Sequence, residues 1–373
     1  MKILLISNSF WNVKNFRGGL VEELLKQGHD IYIAAPIDNS FNHLVKMGAT
    51  CIKLPFNRKS LSILKEISLF FRIKKIFISV KPDYAFTFTI KPNLYSSIFS
   101  LRSKVVPNIS GLGSTFLGSK ILTFFIKIFY KLGLRFSEKV FFQNHEDHKY
   151  FISEKLVKKE KASVIPGSGV NLDKFSSNPA LENPYNENDI NGKIIILYAG
   201  RLIKDKGVDD FLEAAQIFQN EKINNVQFIC LGDLDLENPS ALTKQELDLC
   251  IEKNLIKHYP FSDDVRNYIQ FSDCVVLPSL REGLSKILLE AMSMSKPIIA
   301  TDVPGCRELI SDGQNGFLAP PMNPKVLAQK IKLFCSLARD QKTSFGLSSR
   351  KIAESKYDEK FVIKKYLELL SQE

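Results

Sequence analysis

The 373-residue sequence has no stretch approaching the roughly 18 uninterrupted apolar residues of a bilayer-spanning helix, which argues against an integral membrane protein of that type. Cysteine is sparse and scattered: positions 51, 230, 250, 274, 306 and 335 form no C-x-x-C pair. That excludes a thiolate metal ribbon and a disulfide framework, and it fits reduced core thiols of a cytoplasmic protein. Low-complexity tracts and strong internal repeats are missing, so neither a disordered tail nor a solenoid is expected. The dinucleotide fingerprint G-x-G-x-x-G does not occur either. At the start, "MKILLISNSFW" offers an apolar run too short for a signal peptide and better suited to a buried first strand. Acidic residues are scarce in the first half. Residues 1–180 carry 27 Lys and Arg against 12 Asp and Glu, whereas the remainder carries 24 against 28. Within 61–135 the ratio is 12 basic to 2 acidic. So basic a half fits nucleic acid or an anionic membrane surface.

The length calls for two domains. Strand-like runs at 2–7, 30–36, 51–56, 84–89, 105–110 and 139–144 alternate with helical periodicity. The polar, Asn- and Pro-rich segment 176–193 reads as a linker. Strands then resume at 194–200, 226–233, 273–279, 296–302 and 315–321, with helices near 208–218 and 285–294. Such alternation implies two doubly wound parallel sheets, Rossmann-like domains facing across a cleft, where ligands sit at the carboxyl ends of strands. The expected boundaries are 1–180 and 190–356, with residues 357–373 forming a last helix that returns to the first domain.

Two segments, 60–80 and 115–136, mix Phe and Ile with Lys and Arg. A basic amphipathic helix with an aromatic face suits the membrane interface, and a core helix with snorkelling lysines is the alternative. Nucleic acid is the weaker partner, because no nucleic-acid motif accompanies the charge.

The residues with chemistry cluster in a few loops. Gly18 and Gly19 in "FRGGLVEELL" are expected to open a helix after the first strand, where phosphate is favoured. Arg201 and Lys206 in "YAGRLIKDKG" follow the first strand of the second half, a place for two cations to meet a diphosphate. "SLREGLSKILLEAMS" sets Glu282 in a loop, free amides at Gly283, Leu284 and Ser285, and Glu290 inside an apolar helix. An ionised Glu there needs a partner: Lys286 one turn away, or a ligand hydroxyl. Lys91 in "FTIKPNLY", with Arg58 and Lys59, could meet a second diphosphate; a solvated Lys91 is the alternative. "DLDLE" (233–237) and "HEDH" (145–148) look like metal clusters but read as a strand-to-loop transition and a helix first turn.

In their order along the chain, "GRLIKDKG", "SLREGLSKILLEAM", "IIATDVPGCRELI" and "DGQNGFLAPP" resemble the retaining glycosyltransferases of family four, of the two-domain type called GT-B. "TIKPNLY" and "ISGLG" are similar to the subgroup building O-antigens, capsules and lipid-linked oligosaccharides, including bacterial N-acetylgalactosaminyltransferases acting on a lipid diphosphate. The resemblance implies a UDP-sugar donor, a polyprenyl-diphosphate-linked acceptor, no metal or other cofactor, and a cytoplasmic enzyme peripheral to the inner membrane face. It gives Arg201 and Lys206 the donor diphosphate, Glu282 a sugar hydroxyl and Glu290 the nucleotide ribose. The amides of Gly283, Leu284 and Ser285 would orient sugar and phosphate, and Gly18 and Gly19 would cap the phosphates. Departures are Ser285, where many relatives have Pro, and the lack of any His between His43 and His145. Alternatives are another nucleotide sugar, a soluble acceptor, a UDP-sugar epimerase, or a binding protein without catalysis.

Overall fold

The computed structural model describes all residues except 57–61, 100–102, 113–119 and 372–373, and of residues 120–122 and 188 the backbone alone. Arg58 and Lys59 therefore lie outside the described residues. The chain forms two compact units, Met1–Ser168 with Lys360–Glu373, and Gly169–Glu359.

The first unit holds seven parallel strands: β1 (Lys2–Ile6), β2 (Asp30–Ala35), β3 (Thr50–Lys53), β4 (Tyr84–Phe88), β5 (Lys104–Ile109), β6 (Val140–Phe142) and β7 (Ala162–Val164). Their order is β3-β2-β1-β4-β5-β6-β7, so the winding direction reverses at β1. "ILLI" in β1 is continuous rather than alternating because both sheet faces are covered. Ile3 and Leu5 pack with Leu20, Val21 and Leu24 of helix Phe10–Lys26. Leu4 and Ile6 pack on the other face with Leu69, Ile73 and Ile76 of helix Ile63–Val80. Helix Glu359–Leu370 adds Val362, Tyr366 and Leu369 to the first of these cores. The buried Tyr366 ring meets Phe86 and Phe141 edge-on at 4.8 and 5.0 Å.

The second unit has six parallel strands: β8 (Ile194–Ala199), β9 (Val226–Leu231), β10 (Lys257–Tyr259), β11 (Cys274–Leu277), β12 (Ile298–Thr301) and β13 (Gly316–Ala319). Their order, β10-β9-β8-β11-β12-β13, reverses at β8. One core, including Leu197, Phe211, Phe228, Leu289 and Ile299, spans this unit.

Three expectations are corrected here. Helix Phe10–Lys26 starts well before Gly18 and Gly19, because the Ser9 hydroxyl accepts the Asn12 amide at 3.0 Å and caps it there. The two glycines sit mid-helix, where their amides belong to the helical ladder. Segment 176–193 lies inside the second unit: Tyr185 is buried, its hydroxyl donates to the Tyr268 carbonyl, and its ring packs on Tyr259 and Tyr268. Finally, β7 and β10 were not expected. Both are three-residue strands at sheet edges with half-buried side chains, so neither produces an apolar run.

Candidate functional site

Because β8 lies between β9 and β11, the loops leaving β8 and β11 flank the point where the second sheet reverses, the usual ligand crevice of such sheets. Those loops are locked together. Gly207, at φ +71°, passes so close to Pro278 that a Cβ would lie 1.9 Å from its carbonyl oxygen. Only glycine combines that backbone with that approach. The Leu280 amide donates to the Asp205 carbonyl at 3.0 Å. A third loop, after β12, supports the pair: the Glu282 amide donates to Pro304 O at 3.1 Å and the Ser285 amide to Gly305 O at 3.0 Å. The Glu308 carboxylate in turn accepts the Gly305 amide at 2.7 Å.

This scaffold brings Lys206 Nζ to 2.5 Å from Glu282 Oε1, across 76 positions of sequence. Ser279 Oγ donates to the same oxygen at 2.6 Å, and Thr301 Oγ1 donates to the Ser279 carbonyl. Arg201, half exposed, pairs with Asp235 at 2.9 Å. Asp233 accepts the Phe261 amide at 3.0 Å, so both aspartates of "DLDLE" hold protein partners. In "HEDH", the Asn144 side chain caps helix His145–Ser153 by accepting the Asp147 amide, as a first turn requires.

Glu290 stands in the second turn of helix Lys286–Ser293. Burial pushes its carboxyl up to about 7, against the opposing pull of Lys286 and Lys174. Its side chain makes no hydrogen bond or ion pair among the described residues. The Lys286 ammonium instead donates to the Gly169 carbonyl at 2.9 Å, so a helical surface bridge does not account for Glu290. Gly283 is buried and Leu284 packs at the edge of the core. Of the amides expected to be free, that of Ser285 is not, since it is spent on Gly305. Its hydroxyl does not cap the helix; it is buried without a partner.

Gly18, Gly19 and Lys91 belong to the first unit. Lys91 Nζ is 2.6 Å from Glu66 Oε1, and Tyr95 OH donates to the other oxygen of Glu66 at 2.6 Å. That is neither a solvated lysine nor an uncommitted cation. Reading the sequence missed Ser279, Thr301, Asp235 and Glu66. Gly207 and Gly305 carried a signal, as glycines beside charged loop residues, but their close approaches could not be read without the partner loop.

The second unit thus presents two cations, two carboxyl groups, one paired and one without a side-chain partner among the described residues, and an orphaned hydroxyl at one sheet edge. That set suits an anionic, hydroxyl-rich ligand.

Residues 2–144 match the family model "Glycosyl transferase 4-like", and residues 182–351 match "Glycosyl transferases group 1". The chain is 27% identical to the N,N'-diacetylbacillosaminyl-diphospho-undecaprenol alpha-1,3-N-acetylgalactosaminyltransferase of Campylobacter jejuni, over 99% of this chain and 98% of that protein. It is 29% identical to the UDP-Gal:alpha-D-GlcNAc-diphosphoundecaprenol alpha-1,3-galactosyltransferase of Escherichia coli, over 70% and 68%. In fold it resembles Anabaena HepE, solved in complex with UDP and glucose, with TM-score 0.81, 21% identity and full coverage of both chains.

Proposed function

The chain belongs to the glycosyltransferases that these two family models describe, and from that premise we propose that it moves an N-acetylhexosamine such as GalNAc from its UDP conjugate, with retention, onto a polyprenyl-diphosphate-linked saccharide during surface-glycan assembly. The observation that carries this reading is the Lys206–Glu282 contact at the switch point of the second sheet. An ammonium that suits a diphosphate stands there beside a carboxylate that suits a sugar hydroxyl. Arg201 and Lys206 neutralise the diphosphate as the bond from the anomeric carbon to phosphate oxygen breaks. The acceptor hydroxyl bonds to that carbon from the same face, and its proton passes to the departing phosphate oxygen. Glu282 holds a donor-sugar hydroxyl. Glu290, with no side-chain partner among the described residues, accepts from the ribose. Gly283 and Leu284 line the donor, and the orphaned Ser285 hydroxyl is a further contact for it. Two cations meet the electrostatic demand of the leaving group without a metal ion.

The acceptor is a membrane lipid, and the first unit has a surface that suits its bilayer. Helix Lys120–Leu134 exposes Phe124, Phe125, Phe129 and Leu132, and helix Ile63–Val80 exposes Ile63, Leu64 and Phe71 beside Arg72, Lys74 and Lys75. No helix of the described residues is long and apolar enough to cross a membrane. Docking on an anionic cytoplasmic leaflet, with no role for nucleic acid, fits these faces.

The test is a screen of nucleotide sugars against a synthetic lipid-diphosphate sugar, read by product mass and anomeric configuration. A retained-configuration product from a UDP-N-acetylhexosamine is expected, and Glu290→Ala or Lys206→Ala abolishes it while the protein stays folded. Transfer from no nucleotide sugar overturns the reading. Release of UDP or an epimerised sugar without acceptor points to an epimerase instead.

A further inference from the structure

Arg17 lies in helix Phe10–Lys26 and is 4% exposed. Its Nη1 donates to the neighbouring Phe16 carbonyl at 2.8 Å, and its guanidinium carbon stands 4.7 Å over the Phe88 ring. Nε is buried without a partner, and no carboxylate pairs with Arg17 among the described residues. Burial pushes its pKa down; the Tyr366 hydroxyl, the one group pulling it back up, is itself deeply buried. An arginine keeps its proton under these conditions, so the molecule carries a buried positive charge with no counter-charge among the described residues. The face of Phe88 and the Phe16 carbonyl offset part of that cost, and no carboxylate among the described residues does.

The location is informative. Phe88 ends β4, which lies next to β1, and β1 is where the first sheet reverses. The residue opposite it in register, one beyond the Ile6–Thr87 pair, is Ser7, and the loop continues through Asn8, whose Oδ1 is also buried without a partner. From Phe88 the chain turns through Thr89 at φ +73°, a strained conformation for a β-branched residue, into helix Ile90–Ser96. An orphaned charged donor therefore stands over the last residue of β4, at the carboxyl edge where doubly wound sheets bind ligands. Lys91, the cation that the sequence suggested for this unit, is already neutralised by Glu66.

We propose that Arg17 is the counter-ion of a diphosphate bound at the carboxyl ends of β1 and β4, and that this diphosphate is the one carried by the lipid-linked acceptor. The identity of the ligand rests on the reading under "Proposed function"; the anion site itself does not.

The test follows thermal unfolding of the full chain first alone, then with saturating UDP, and then with farnesyl diphosphate or inorganic pyrophosphate added to the UDP-saturated protein. Wild type gains stability with both, and Arg17→Met loses both responses while keeping the response to UDP. Without any anion, Arg17→Met melts higher than wild type, because the uncompensated charge is gone. Arg17→Lys keeps the charge but not the fork, and binds the diphosphates at least about ten-fold more weakly; it decides the matter if Arg17→Met does not fold. Undiminished diphosphate responses in both variants overturn the proposal. A response to pyrophosphate but not to farnesyl diphosphate overturns the assignment to the lipid acceptor. An Arg17-dependent diphosphate response in a protein indifferent to UDP leaves the anion site standing and removes the sugar-transfer reading.

Discussion

Glu290 shows how much a single carboxyl can report. Its folded pKa of about 7 lies above the ordinary 4.5, so folding favours the protonated acid. The resulting penalty is absent below about pH 4.5, where folded and unfolded chains are both protonated, and fully present above about 7. Glu290→Gln, neutral at every pH, should therefore stabilise the ligand-free protein by about 1–3 kcal/mol at pH 8 and by much less at pH 5, measured by urea unfolding at the two values. UDP binding should show the opposite trend in wild type if Glu290 holds the ribose as proposed, weakening as pH falls from 8 to 6 while its carboxylate takes up a proton. The Lys206–Glu282 pair makes a different prediction. It is mostly buried and shares its carboxylate with Ser279, so a Lys206→Met, Glu282→Gln double-mutant cycle should give a coupling of about 1–3 kcal/mol in stability. Additive single changes would identify a loose surface contact. Neither contact was open to sequence reading in full. The type of residue was legible at Glu282, Lys206 and Glu290, but burial and pairing were not, and Arg17 gave no signal at all because its significance is the absence of a carboxylate partner among the described residues.

Elements convert these residues into a site through close backbone contact. Gly207→Ala would drive a methyl group into the Pro278 carbonyl and strain a positive φ, so a loss of at least about 2 kcal/mol and of transfer activity is expected in the same preparation. Gly18 is the converse: it sits in regular helix, and a Cβ there meets nothing within 4 Å. Gly18→Ala should raise stability by about 0.5–1 kcal/mol in thermal unfolding. Helix Lys120–Leu134 exposes 61% of Phe124, so Phe124→Ser, Phe125→Ser and Phe129→Ser together should cut co-sedimentation with phosphatidylglycerol vesicles at least about ten-fold. Unchanged co-sedimentation would assign those rings to some other contact. Long, fully buried strands such as β1 and β8 were legible from their unbroken apolar runs. The start of helix Phe10–Lys26 was not, since "SNSFWN" offers two serines and two asparagines as caps and only packing selects Ser9.

For the whole molecule, the uneven charge of the sequence follows its division into units, with the basic surplus in the chain that builds the first sheet. Two parallel sheets were legible because strand-helix alternation restarts midway. The unit boundary was not, because polar composition marks exposure, and segment 176–193 is polar yet anchored by Tyr185. The return of the last helix has a consequence for how the chain is made. Tyr84 OH donates to the Leu369 carbonyl at 2.8 Å, and Asn108 donates to Tyr366 OH at 3.0 Å, so two strands of the first sheet bond to a helix made long after them. During synthesis from the amino end, the second unit can finish folding while Phe86 and Phe141 still lack their cover. The aromatic seam of Phe86 and Phe141 thus stays open until a helix more than 200 positions further along the chain arrives to seal it.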